Sequence, residues 1–259
     1  MSFKNKVILI TGASSGIGAA CAEFFAVNGA HLALVGRKPE RFEVVVAQIK
    51  KKSVEREPLV ILADISVDYE RIISETIGKY GRLDVLINNA AFSIPGSFVN
   101  VKPEHFDAVI GANVRGTFLL TQLAVPYLIS SKGNIVNVSS VAALKPFPGS
   151  IVYCISKAAL DHFTRCLALE LASKGVRVNS INPAVIDTNF RDYLGMDRNG
   201  EEYAALLKNM ASMHPVGRVG ESEECVNAIA FLANDNAAFI TGVILPIDGN
   251  NYCSSKRVT

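Results

Sequence analysis

The sequence predicts an α/β fold: a doubly wound, seven-stranded parallel sheet with helices on both faces. Short apolar runs, most of them β-branched and bounded by Gly, Asn, Asp or Ser, recur along the chain. Helix-length segments separate them, and a glycine-rich turn joins the first run to the first such segment. The chain has 259 residues and is 49% hydrophobic, enough for one sizeable core, and no Pro/Gly/Ser-rich linker cuts it. We therefore expect one domain over residues 1–259.

Strands are expected at residues 7–10, 32–35, 59–62, 85–87, 135–138, 176–181 and 243–247. The first helix, 17–28, places Ala20, Phe24 and Val27 on one face. The second, 39–51, opens with a proline suited to a first turn, and the third, 68–80, with an acid. The fourth, 103–130, carries Pro126, which predicts a bend or an early stop. The fifth, 151–173, is stopped by Gly175. The sixth, 222–233, begins at Ser222, an N-cap type of residue, ahead of Glu223 and Glu224. Right-handed crossovers between such strands bury the sheet between two helix layers. Residues 182–215 are too many for an ordinary loop and are read as a substrate lid.

Composition narrows the function. Twenty-six Lys and Arg against 24 Asp and Glu leave a formal charge of +2, mixed along the chain. Lys50-Lys51-Lys52 is the one compact basic run and reads as a solvated helix end, so no nucleic-acid partner is expected. Five cysteines (Cys21, Cys154, Cys166, Cys225, Cys253) with no C-x-x-C spacing read as reduced thiols. His31, His105, His162 and His214 are scattered and read as structural, so no metal site is expected. The first residues show no signal-like apolar stretch, and Arg257-Val258-Thr259 is no peroxisomal ending. The longest apolar region, 116–129, holds Thr117, Thr121, Gln122 and Pro126 and reads as too short to span a bilayer. No membrane partner is expected, and cytoplasm is the default location.

The first strand runs into Thr11-Gly12-Ala13-Ser14-Ser15-Gly16-Ile17-Gly18. Glycines turn the chain tightly and let the backbone approach a pyrophosphate, and the following helix points free N–H groups at that anion. Between a first strand and a first helix, this is a Rossmann-type dinucleotide turn. Gly18 is expected to let the helix lie close to the sheet. The second strand ends at Gly36-Arg37-Lys38, where an NAD enzyme commonly carries an acid for the ribose 2′-hydroxyl. Two cations stand there instead, and guanidinium binds phosphate bidentately, so NADP is expected in preference to NAD. Ser14 and Ser15 offer hydroxyls to the same phosphate. Farther along, Tyr153 and Lys157 are four apart and share a helix face. A nearby ammonium favours a phenolate and lowers a tyrosine pKa by about 1–3 units, which suits general acid–base work.

The order of these motifs resembles the short-chain dehydrogenases/reductases. The resemblance runs from Lys6 to about Gly249 and rests on residues 11–18, Asp64, Asn88-Asn89-Ala90, Asn113, Ser139-Ser140, Tyr153-x-x-x-Lys157 and Asn182-Pro183. It implies an oxidoreductase acting on a small-molecule carbonyl or alcohol. Ser140, in preference to Ser139, would hydrogen-bond the substrate oxygen. Tyr153 would transfer the proton, Lys157 would hold the nicotinamide ribose, and Asn113 would place a water that relays protons to Lys157. Asp64 and Ile65 would contact the adenine. Asn88, Asn89 and Ala90 would line the cofactor, and Pro183, Ile186 and Thr188 would flank the nicotinamide. Three positions depart from the family pattern: Ala91, Ala184 and Asn250 stand where glycines are usual. The two alanines are expected to narrow the pocket.

The same pattern is similar to 3-oxoacyl carrier-protein reductases, through Pro215-Val216-Gly217-Arg218 and Ile240-Thr241-Gly242. Other members act on steroids, retinoids, sugars or xenobiotic ketones. Phe190, Tyr193, Leu194, Met196, Tyr203, Leu206, Leu207, Met210 and Met213 make the lid apolar, which fits an apolar or bulky substrate. A second class of function, an NADP(H)-sensing regulator without turnover, would be marked by loss of the Tyr or the Lys; both are present. The family's assemblies pair the two long helices, and Phe118, Leu119, Leu123, Phe163, Leu167 and Leu171 are expected to supply apolar area for a homo-oligomer, a tetramer.

Overall fold

Parallel pairing of the short apolar segments builds one seven-stranded sheet in the computed structural model, which describes residues 1–52, 56–188, 197 and 199–253. The strands are β1 (Val7–Thr11), β2 (His31–Gly36), β3 (Leu59–Leu62), β4 (Val85–Asn88), β5 (Asn134–Val138), β6 (Arg177–Pro183) and β7 (Ile244–Ile247). Their order across the sheet is β3-β2-β1-β4-β5-β6-β7, and every pairing is parallel. The helices are α1 (Gly16–Val27), α2 (Pro39–Lys52), α3 (Tyr69–Tyr80), α4 (Pro103–Ile110), α5 (Thr117–Ser131), α6 (Ile151–Leu171), α7 (Glu201–Ala211) and α8 (Ser222–Ala233).

Alternation along the strands feeds two cores. Ile8 and Ile10 of β1 join Phe25 of α1, Phe42 and Val45 of α2 and Ile229 of α8 on one face. Val7 and Leu9 join Ile72 of α3, Leu120 and Leu128 of α5 and Leu171 of α6 on the other. A strand that feeds both faces is covered on both sides, and all five residues of β1 are buried, Thr11 at its end among them. Because the strands are parallel, their carboxyl ends share one edge. The strand order reverses between β1 and β4, which opens a crevice there.

Several elements differ from the sequence expectation. The fourth helix does not stop at Pro126, which sits inside α5. Burial of Leu120, Ala124 and Leu128 on the same helix offsets the missing hydrogen bond. The irregularity lies earlier, in a π-helical turn at Gly111–Gly116 between α4 and α5. A side chain at Gly116 would come within 2.6 Å of the Ile65 carbonyl, so glycine permits that close contact. Through the π turn the helical rod is continuous over 29 residues, Pro103–Ser131, and is long and apolar enough by length and composition to cross a membrane. The expectation counted only 116–129 and found it too short. The apolarity is that of a core helix, since Val109, Leu120, Ala124 and Leu128 are fully buried.

The stretch read as a lid contains α7, which the sequence reading did not foresee; Phe190, Tyr193, Leu194 and Met196 lie outside the described residues. Tyr203 is the buried residue of α7, and its hydroxyl donates to Asp187 at 2.7 Å. The cap of α8 is Glu221, which forms a capping box with Glu224; Ser222 is already helical. Leu171 belongs to the core, at 1% exposure, and cannot serve an interface.

Candidate active site

The glycine turn is held from below by two side chains. Thr11 Oγ1 accepts the amides of Asn89 (2.9 Å) and Ala90 (3.0 Å). Asn89 Nδ2 donates to the carbonyls of Thr11 (2.9 Å) and Gly12 (3.1 Å). Gly12 has φ +66° and Gly16 φ +54°. A Cβ at Gly12 would lie 2.9 Å from the Ala90 Cα, and one at Gly18 2.3 Å from the Gly12 carbonyl. Gly18 thus serves the contact of α1 with its own turn, where the sequence reading put the sheet. Ser15 is the N-cap of α1, yet its side chain makes no capping bond. The first N–H groups of α1 therefore border the cleft uncapped, in a cradle that added methyl groups would fill. That donor set and shape fit a pyrophosphate.

A cavity of about 430 Å³ opens from this turn. Gly12, Ser15, Gly16, Ile17 and Asn89 line one end of it; Ser140, Tyr153, Lys157, Pro183, Ile186 and Thr188 line the rest. Ala91 and Ala184, the two departures from the family pattern, also face it. The carboxyl ends of β5 and β6 and the second turn of α6 thus bring together residues from position 12 to position 188. Asn250 takes φ +67°, a conformation asparagine tolerates better than most residues.

Lys157 is 2% exposed. Its Nζ donates to the Val138 carbonyl at 2.8 Å and lies 5.6 Å from the centre of the Tyr153 ring. Burial pushes its ammonium down to about 8, with the charge of Asp161 pulling the other way. The Ser140 hydroxyl accepts from the Ala142 amide (3.1 Å) and approaches the Pro183 carbonyl at 3.4 Å. Ser139 is buried and its hydroxyl donates to the Lys157 carbonyl, which anchors α6 to β5.

Asn113 stands one layer behind the cavity, in the π turn. Its Oδ1 accepts the Phe92 amide at 3.1 Å, and its Nδ2 donates to the Phe92 carbonyl (2.9 Å) and to Ser156 Oγ (3.1 Å). Asn88 is buried beside it, bonded to Thr121 and Asn137. Sequence reasoning missed Thr11 and Ser156 as members of this framework. Their visible signals were a threonine closing a strand and a serine one residue before the lysine.

The other end of the crevice is a small cavity of about 90 Å³ lined by Gly36, Arg37, Asp64, Ile65 and Ala90. Arg37 pairs with Asp64 at 3.3 Å, with its side chain 65% exposed. Burial raises the Asp64 carboxyl, but bonds from the Ser66 hydroxyl and amide, with the Arg37 guanidinium, outweigh it and leave the group below the usual carboxylate range. Ser14 lies beside Gly36, where an added Cβ would meet its hydroxyl at 3.2 Å. Lys38 is exposed; its carbonyl receives the first amides of α2.

The family model described as enoyl-(acyl carrier protein) reductase matches residues 12–249. The chain belongs to the short-chain dehydrogenase/reductase family. It is an oxidoreductase that acts on CH–OH or carbonyl groups, in a family that uses NAD(P). It is 40% identical over 252 residues to an uncharacterized oxidoreductase of Thermotoga maritima, covering 97% of this chain and 99% of the relative. It is 37% identical to the 3-oxoacyl-acyl-carrier-protein reductase of the same organism (96% and 98% covered). It is 34% identical to the meso-2,3-butanediol dehydrogenase of Serratia marcescens (99% and 98% covered). Among solved structures, a short-chain dehydrogenase/reductase from Caenorhabditis elegans, crystallised with cofactor, superposes with a TM-score of 0.91 at 35% identity, covering 97% of this chain and 96% of that one.

In this dehydrogenase/reductase the buried ammonium has a stability consequence. An unfolded lysine keeps its proton to about pH 10.4, whereas folded Lys157 releases it near 8. Between those values the unfolded state binds more protons, so folding stability rises with pH there. The penalty is fully present below pH 8. Lys157→Met should therefore be more stable than wild type at pH 7, by about 1–3 kcal/mol after loss of the bond to Val138. Urea unfolding at pH 7 and pH 9.5 should show that margin shrinking as the pH rises.

Proposed function

We propose that this enzyme is an NADP(H)-dependent carbonyl reductase or alcohol dehydrogenase whose substrate is an apolar or bulky ketone or secondary alcohol, of 3-oxoacyl, steroid-like or xenobiotic type. The observation that carries the reading is that Tyr153 and Lys157, on one face of α6, line the same cavity as the glycine turn. The turn and the N-terminus of α1 would hold the pyrophosphate, Asp64 and Ile65 the adenine, Lys157 the ribose hydroxyls, and Pro183, Ile186 and Thr188 the nicotinamide. When bound, the dinucleotide supplies the hydride in reduction and takes it up in oxidation. Tyr153 gives its phenolic proton to the carbonyl oxygen as the hydride reaches the carbon, and accepts the alcohol proton in the reverse direction. The Lys157 ammonium favours the phenolate side of that exchange. Ser140 donates to the same oxygen as charge develops on it. Asn113 would place the water of a proton relay toward Lys157; both hydrogens of its side-chain amide are already spent on Phe92 and Ser156. Val141, Ala142, Phe147, Pro148, Met210 and Met213 give the substrate side its apolar character.

Tyr153→Phe should lose at least a hundredfold in turnover, since general acid–base catalysis contributes roughly 10²–10⁴-fold, while NADPH affinity stays within about twofold. Single-wavelength NADPH consumption over a panel of ketones, with fluorescence titration of the cofactor, measures both. Retention of more than about a tenth of the rate overturns the assignment.

Arg37 supports the choice of NADP. One of its nitrogens is paired with Asp64, and a guanidinium has five N–H donors, which leaves a fork for the 2′-phosphate. A charge-assisted bond of this kind corresponds to roughly a ten- to hundredfold preference, reduced by salt because Arg37 is exposed. Arg37→Asp should weaken NADPH binding by about that factor and NADH binding little. Equal catalytic efficiency of wild type with both cofactors at low salt contradicts this reading.

The same reading includes a homo-oligomer, a tetramer. Phe118 and Phe163 stack at 5.4 Å on the outer side of α5 and α6. Ile151, Ile155 and Leu169 are also exposed on α6, Leu169 at 85%. Exposed apolar side chains on two helices suit a symmetric pairing. Light scattering at micromolar concentration should give four times 27.8 kDa; a monomer refutes it.

A further inference from the structure

Asp161 follows Lys157 by one turn on α6 and is 3% exposed. The chemistry assigned above makes no use of it. Residues four apart on a helix lie on one face, so Asp161 and Lys157 share the buried face of α6. Its Oδ2 accepts from Asn182 Nδ2 at 2.7 Å, and Ser180 Oγ lies 3.2 Å from Oδ1. The Ser139 hydroxyl faces it as well, sharing its one hydrogen with the Lys157 carbonyl. From β5 and β6 it thus meets neutral hydroxyl and amide donors; the charges acting on it are Lys157 and Arg165, both on α6. Burial works against ionisation and raises the carboxyl above its usual range, while the hydrogen bonds from Ser139, Asn182 and Ser180 oppose that. Ser180 Oγ also lies 2.9 Å from Asn182 Oδ1, but Asn182 Nδ2 can only donate, and a donor held at 2.7 Å from Oδ2 suits the carboxylate. Asn182 Nδ2 spends its second hydrogen on the Ser140 carbonyl at 2.9 Å. One chain of bonds therefore runs from Asp161 on α6 through β6 to the backbone of Ser140.

We propose that Asp161 is a positioning residue: it is the buried counter-charge that keeps Lys157 an ammonium beside Tyr153. It acts through Lys157 and touches neither substrate nor dinucleotide. The proposal rests on the reading of Tyr153 and Lys157 as the proton-transferring pair.

Asp161→Asn isolates the charge, because the amide oxygen still accepts from Asn182. Tyrosinate absorbance at 295 nm, taken as the difference between each variant and its Tyr153→Phe counterpart, follows the ionisation of Tyr153 alone. Loss of the Asp161 charge releases the Lys157 proton at lower pH, so the ammonium no longer assists the phenolate. The Tyr153 midpoint should move up by about one unit. Asp161→Glu, the conservative variant, keeps the charge and should leave the midpoint within about 0.3 units. Lys157→Met is the control. If it leaves the midpoint unmoved, the Tyr153–Lys157 reading itself is wrong. If it raises the midpoint and Asp161→Asn does not, that reading stands and this proposal falls. A lower melting temperature of Asp161→Asn with an unshifted midpoint overturns it equally, since that is a structural role alone. Should Asp161→Asn fail to fold, Asp161→Ser takes its place, with the same midpoint expected and the same unshifted value refuting.

Discussion

A single buried ammonium constrains the carboxyl edge of the sheet. Lys157 sits in a helix that packs on the core, where an unpaired charge would cost several kcal/mol. Its Nζ donates to the last carbonyl of β5, and α6 must lie within reach of that atom. Ser139, one residue on, returns a bond to the Lys157 carbonyl, so the two elements are tied twice at the same level. A polar seam continues below. Asn88 reaches Thr121 and Asn137, and Asn137 reaches Thr164, all buried. An apolar face can slide against another at small cost, but a slide here would leave each of these amides unsatisfied. The seam therefore fixes the register of α5 and α6 on β4 and β5, and with it the place of every side chain in the cleft.

The glycine turn is built on the same plan from the other side of the crevice. Asn89 and Ala90, just past β4, donate four bonds to Thr11 and Gly12 at the end of β1. Those two strands are neighbours only because the strand order reverses there. The open crevice and the means of closing its floor thus come from one topological feature. Glycines 12 and 18 are needed because the bracing amide of Asn89 lies where their side chains would be. The turn is both a shape for an anion and a joint in the fold.

These relations explain what the sequence disclosed and what it withheld. All seven strands were legible, because a buried parallel strand shows as a short, mostly apolar run; β3 was placed to the residue. The cleft residues were legible through the order of their motifs, since most of them close a strand and parallel strands end together, while Tyr153 and Lys157 share a helix face. The π turn was not, because its cause is a close contact between Gly116 and Ile65, fifty-one positions away. Pro126 was a visible signal that pointed to the wrong place. Helix α7 was hidden inside a stretch judged only by its length. The Arg37–Asp64 pair and the Asp161–Asn182–Ser140 chain join residues 21 to 42 positions apart. Spacing within a motif carries no trace of such pairs.

The two cations of the crevice are placed under opposite physical regimes. Arg37 is largely in solvent, where salt screens it, its partner Asp64 competes for it, and little of the fold depends on it. Lys157 is out of solvent, where its charge acts at full strength on whatever lies within a few ångströms and where its removal alters stability. A charge that sets preference between two similar ligands can be exposed and still act, because a modest difference in free energy is enough to discriminate. A charge that must shift a phenol with an unperturbed pKa near 10 toward neutral pH cannot, because screening would erase it. On the proposed reading, cofactor choice is therefore the adjustable property of this scaffold and proton transfer the fixed one. Substitution at position 37 can change the first without disturbing the fold, whereas the second is inseparable from how α6 is seated on β5.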